Sequence, residues 1–268
     1  VLGEQHTLLN DKELGLRYTP NKGVGIIENE PGQLKLLLAA GVESYLVGGT
    51  DIHNLTAARK IFGPGAPGEF DSGAAEVGAV ARSNSRLYAF YQAEEREGLP
   101  VIKEAGLSGY YASVGVAESD DNGSTWVKKG QIIKSAKPKE WADYHGQSVR
   151  GNGLPGAAAD PTGRYIFVYY TNLSVDGGRS PDICVARSDL SAGPPLPGNW
   201  KKFCHNDFSE AGVGGEETSV VDISSIAKAS ALYPHVAYSE YLRKYLMVFC
   251  ISVNEEALKE LPANKSGI

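Results

Sequence analysis

What this chain lacks narrows its function before any motif is considered. Lys and Arg total 26 against 32 Asp and Glu, a net charge of −6. With no basic surplus to neutralise a phosphate backbone, nucleic acid is not an expected partner. No apolar run approaches 18 residues, so no membrane span is expected. Phosphate-cradling loops, nucleophile elbows and His-Glu-x-x-His helices are missing, and the glycines of "NKGVGII" do not have dinucleotide-binding spacing. No cofactor is therefore expected. The five histidines are scattered, and the three cysteines lack zinc-site spacing, so no metal site is expected. Cys184 and Cys204 flank a probable hairpin and could pair across it. Buried free thiols are the main expectation. The cysteines leave the compartment open, and a secreted or periplasmic setting is favoured. Oligomeric state is not legible.

Helix is scarce too. The one candidate turn is "EEALKELPA" (255–263), stopped by Pro262. What the sequence offers instead is short apolar strands separated by Gly, Asp, Asn and Ser. They repeat. "LVGGTDI", "GVAESDD" and "CVARSDL" each end a strand on Thr-Asp or Ser-Asp, at Thr50-Asp51, Ser119-Asp120 and Ser188-Asp189, and successive copies lie 69 residues apart. A hairpin precedes each, with second strands "GQLKLLLAA", "SRLYAFYQA" and "GRYIFVYYT"; "RKYLMVFCI" begins a fourth unit. Units of four antiparallel strands arranged radially predict an all-β fold, a β-propeller of four-stranded blades in a single domain over 1–268.

The turn after the second copy, "SDDNGSTW", has Ser119, Asp121, Gly123 and Trp126 at Ser-x-Asp-x-Gly-x-x-Trp spacing. It resembles the Asp-box of sialidases and related BNR-repeat propellers, a structural turn between the third and fourth strands of a blade. Calcium is not expected there, because the alternating ligands and closing Glu of a calcium loop do not follow. "KSGI" (265–268) resembles "LSGYY" (107–111), which opens a third strand. About four blades are therefore visible, and a longer natural chain of five or six is expected. The alternative is a four-bladed ring closed by the N-terminal segment.

Aligning the units makes Val24, Glu76, Leu154 and Tyr233 equivalent at the starts of inner strands, where propellers open a funnel. "FDSGAAEVGAV" resembles the inner-strand opening of five-bladed glycoside hydrolases, which implies Glu76 or Asp71 as base or nucleophile. "LYPHVAY" resembles the segment carrying the general acid in that family, with Leu232 and Tyr233 where Glu and Gly stand and with Pro234 and His235 retained. The acid then has to come from elsewhere. Glu217, or its neighbour Glu216, is a candidate on the Gly-rich "GGEETS", although a solvated loop is the blander reading of both. Arg150 and His235 are candidate substrate contacts. "LRYTP" faintly resembles the Arg motif of sialidases, with Arg17 a third contact or simply an anchor for the N-terminal segment. A glycoside hydrolase-like propeller acting on a carbohydrate is the leading expectation; a propeller that binds carbohydrate or protein without catalysis is the alternative.

Overall fold

The computed structural model describes residues 9–99, 101–102, 107–142, 149–174, 181–221, 223 and 229–252. The candidate helical turn at 255–263 and the "KSGI" segment lie outside them. Among the described residues every regular element is a strand except one 3-10 turn, Lys139–Ala142. Among these residues no helix is long and apolar enough to cross a membrane.

The strands form successive antiparallel meanders. The first holds β1 (Gly25–Glu30), β2 (Gln33–Ala40), β3 (Glu43–Gly49) and β4 (Arg59–Phe62). The second begins with β5 (Ala74–Ser83) and β6 (Arg86–Glu95). A small hairpin of β7 (Val101–Ile102) and β8 (Leu107–Ser108) follows, and β9 (Tyr110–Ser119) and β10 (Val127–Ile133) complete the meander. The third holds β11 (Val149–Ala159), β12 (Tyr165–Asn172), β13 (Asp182–Asp189) and β14 (Lys201–Cys204). It adds a strand that a four-stranded repeat does not predict, β15 (Asp207–Ala211). The last described pair is β16 (Ser230–Ser239) and β17 (Lys244–Ser252). A short parallel ladder, Val149–Gly151 against Tyr110–Ala112, joins the second and third meanders.

The apolar run of β6 is continuous because both of its faces are covered. Leu87, Ala89, Tyr91 and Ala93 pack towards the first meander with Ile27, Leu37 and Phe62. Tyr88 and Phe90 face the third, against Ile166, Val168 and Trp200. A strand buried on both sides cannot show the polar alternation of a half-solvated one.

The turn at Ser119–Trp126 is held by its own side chains. Ser119 Oγ donates to Asp121 Oδ1 (2.9 Å) and accepts from Gly123 N (2.9 Å). Asp121 also accepts from Thr125 N (2.8 Å) and Thr125 Oγ1 (2.7 Å), while Trp126 Nε1 donates to Gly123 O (3.0 Å). Gly123, at φ 81°, occupies the left-handed region that a Cβ disfavours. Trp126 is buried between the first and second meanders. The inserted stretch "AGPPLPGN" (192–199) preserves the same kind of anchor one unit on. Trp200 is buried edge-on to Phe90, with Nε1 bonded to Pro195 O (3.1 Å).

Cys184 and Cys204 are buried and not joined in a disulfide, and Cys250 is exposed rather than buried. Residues 217–220 separate the two strands that would have brought the first pair together. Thr218 N donates to Phe203 O, and Val220 N to Ile183 O.

Candidate functional site

The inner strands approach one another backbone to backbone. A Cβ on Gly78 would lie 2.3 Å from Pro155 O, one on Gly156 2.0 Å from Pro234 O, and one on Gly23 2.3 Å from Gly78 O and 2.6 Å from His235 Nε2. Glycine is required for contacts this close. Four chain segments therefore meet around a narrow cavity of about 10 Å³, lined among others by Lys22, Glu76, Gln92, Leu154, Tyr233 and His235. The aligned positions Glu76, Leu154 and Tyr233 all reach it. The fourth wall is Lys22-Gly23 rather than Val24. Lys22, Tyr233 and His235 also border an open groove of about 400 Å³ along β17.

Glu76 is the acidic wall of the cavity. Its partner across the hairpin is Gln92, and the next residue on that face of β6 is Glu94. Lys22 Nζ stands 3.5 Å from Glu76 Oε2. Burial pushes the Glu76 carboxyl up to about 7; Lys22 opposes the shift, and the charge and hydrogen bond of Glu94 add to it. Glu94 accepts from Gln92 Nε2 (2.6 Å) and from Arg96 Nη2 (2.6 Å) and Nε (3.1 Å). Burial keeps Tyr110 a neutral phenol beside Glu94, Tyr233 and Glu76, and holds His235 below the ordinary imidazole range. The cavity can thus hold a proton on a carboxyl group near neutral pH and present it beside a neutral imidazole and phenols.

Adjacent residues alternate across β9, so Tyr111 answers to a different group of charges. Burial raises its pKa, Glu217 adds to the rise and Arg150 opposes it. Glu217 is not on a solvated loop. Its carboxylate pairs with the fully buried Lys202 and accepts from Asn152 Nδ2 (2.9 Å) and Tyr170 OH (3.4 Å). It lines a second, polar cavity of about 160 Å³ with Ser135, Asn172 and Ser174. Glu216 is the exposed member of the pair. Arg150 is fully buried, and its Nη1 donates to Lys139 O (3.3 Å).

The candidate residues therefore fall into separate places. Glu76 and His235 share the narrow cavity; Glu217 and Arg150 belong to the neighbouring cluster. Asp71 is buried between the first and second meanders, accepting from Lys128 Nζ (2.8 Å) and Tyr91 OH (3.1 Å). Arg17 is exposed, with its guanidinium 5.3 Å from the Tyr18 ring centre. The anchors of the N-terminal segment are the buried Leu14 and Leu16. Lys22, Gln92, Glu94 and Tyr110 are additions to the sequence reading. Gln92 and Glu94 were accessible from "YQAEE", since residues two apart on a strand share a face with Glu76 across the hairpin. Lys22 gave no such signal.

No protein-family model matches the chain, and no curated protein matches it. Among solved structures it is similar to an alpha-L-arabinofuranosidase from Lactobacillus brevis, with TM-score 0.51 and 14% identity over 84% of this chain and 63% of that one. It is also similar to a glycoside hydrolase, from a family of mannoside phosphorylases, that targets beta-1,2 mannosidic linkages in Candida mannan. There the TM-score is 0.50 and the identity 12%, over 87% of this chain and 60% of that one. The chain spans less than two thirds of either protein. These neighbours are five-bladed β-propeller glycoside hydrolases, and at such identities the likeness is one of fold.

Proposed function

We propose that this chain is a glycoside hydrolase-like β-propeller whose meanders are successive blades, with Ser119, Asp121, Gly123 and Trp126 serving as a structural Asp-box. Its site is the axial cavity together with the groove it opens into. The observation that carries the reading is Glu76, a buried carboxyl group held up to about 7 at the point where four inner segments meet. Glycosidic bond cleavage needs a carboxylic acid still protonated near neutral pH to give its proton to the leaving oxygen. That favours Glu76 as acid over the base or nucleophile role expected from sequence. A sugar ring is too large for the narrow cavity and would sit in the groove, against Tyr233 and His235. The neighbouring cavity at Glu217 would take a further saccharide unit, with Arg150 supporting its wall. Asp71, bound on both sides by protein donors, has no part in the chemistry.

A second reading, binding without hydrolysis, is favoured by one observation. Glu94, the carboxyl group beside Glu76, stands within hydrogen-bonding reach of it. The two are therefore too close to flank a bond, since paired carboxyl groups in glycosidases stand about 5 Å or more apart. The test is turnover of a panel of aryl glycosides by the protein and by Glu76→Gln. Hydrolysis of one sugar, lost in the variant at unchanged melting temperature, supports the enzyme. Saturable binding with no turnover selects the binding module.

A further inference from the structure

We infer that Gln92 is a positioning residue that assigns the proton of the Glu76–Glu94 pair to Glu76. The inference rests on the axial cavity being the site. It starts at the bulge in β11, where Leu154 and Pro155 are left out of the ladder with β12. Leu154 N, on a residue at φ 56°, donates instead to Gln92 Oε1 at 3.0 Å. A backbone N–H can only donate, so this bond fixes which end of the amide faces β11 and turns the Nε2 donor towards Glu94. Gln92 is fully buried and has no room to choose otherwise.

The consequence for Glu94 is one of donor counting. Its Oε1 accepts from Gln92 and its Oε2 from both Arg96 nitrogens. The amide donor and the Arg96 guanidinium both favour the charged form of Glu94, so the proton that the pair shares belongs to Glu76. The other groups acting on Glu76 are Lys22 from the N-terminal segment, Tyr110 from β9, and Tyr233 and His235 from β16. β11 offers no titratable side chain there. The bulge of one meander thus fixes the charge state in the next, through a single amide.

The test reads carboxyl resonances of 13C-labelled glutamate against pH, with Glu76→Gln and Glu94→Gln supplying assignments. In the wild type the highest-titrating carboxyl should be Glu76. In Gln92→Leu its midpoint should fall by about one pH unit, a tenfold loss of proton affinity. Arg96→Met, at a more exposed position, removes the other donors to Glu94 and should shift the proton the same way even if Gln92→Leu does not fold. A highest midpoint belonging to Glu94, or a Glu76 midpoint unmoved in the folded variants, overturns the inference. Turnover is a separate readout. Absence of hydrolysis with the expected titration removes the enzyme reading alone, and hydrolysis with unmoved titration removes the positioning role alone.

Discussion

Lys202 and Glu217 form an ion pair with both side chains sealed from solvent, 0% and 6% exposed. Lys202 Nζ also donates to Lys134 O (2.7 Å) and Gly215 O (2.8 Å), so one ammonium ties together the end of β10, the loop after β15 and β14. Lys202→Met removes the cation and leaves a buried carboxylate. The expected cost is about 3–5 kcal/mol in urea unfolding. Lys202→Met with Glu217→Gln should recover most of it; an equal loss in the double variant would show that the carbonyl contacts, not the charge pair, carry the stability.

Trp126 closes the gap between the first two meanders beside Ile27 and Leu87. Trp126→Ala should destabilise by about 3–5 kcal/mol, as truncation of a buried large aromatic does. A loss under 1 kcal/mol in a denaturant titration would mean that the two sheets close over the vacancy.

Asp121 acts on the same turn through charge. Donors from Thr125, chiefly its hydroxyl, hold the Asp121 carboxyl down at about 2. A depressed acid stabilises the fold above its unfolded pKa, near 4, and that contribution is lost as pH falls through about 2. Asp121→Asn should therefore flatten the acid limb of melting temperature against pH and leave sugar binding intact. Loss of binding at unchanged melting would contradict a structural role.

Glu76 has the opposite sign. Its pKa is raised on folding, so the folded state holds a proton that the unfolded chain has released. Stability should decline as pH rises from about 4.5 through about 7. Glu76→Gln, neutral throughout, should remove that slope; a slope unchanged in the variant would assign it to another group.

Gly78 faces Pro155 O across the narrow cavity. Gly78→Ala should cost about 1–3 kcal/mol by overpacking and disturb ligand binding at the neighbouring cavity. Gly163→Ala, where a Cβ meets nothing within 4 Å, is the control for backbone strain alone, since Gly163 sits at φ 73°.

Strands were the most legible part of this chain, because the pattern that marks them is local. "YYASVGVAES" is β9 from end to end, and the 69-residue repeat places Thr50, Ser119 and Ser188 at the ends of third strands. Glu76 was legible because aligning the units exposes one acidic residue among apolar equivalents. Lys22 was not, because it reaches Glu76 from a segment without regular structure. Asp71 is close to Glu76 in sequence, yet β5 begins only at Ala74, and the preceding turn carries Asp71 towards β10 and Lys128. Glu217 looked solvated because its partner is a lysine in the neighbouring hairpin, a residue type that composition places outside. Arg17 showed a motif without its context.

The three-residue parallel ladder between β9 and β11 has a consequence for the order of events in folding. Hairpins such as β5–β6 and β16–β17 close over short loops. Val149–Gly151 must instead find Tyr110–Ala112 across nearly forty residues, against a loop-closure penalty that local pairs escape. The walls holding Tyr110, Tyr111 and Arg150 would then be set only after the meanders on either side exist. Substitutions in that ladder should raise the unfolding rate and leave the folding rate nearly unchanged, as expected for contacts absent from the transition state. The two acidic cavities would be the last part of the molecule to form and the first to open.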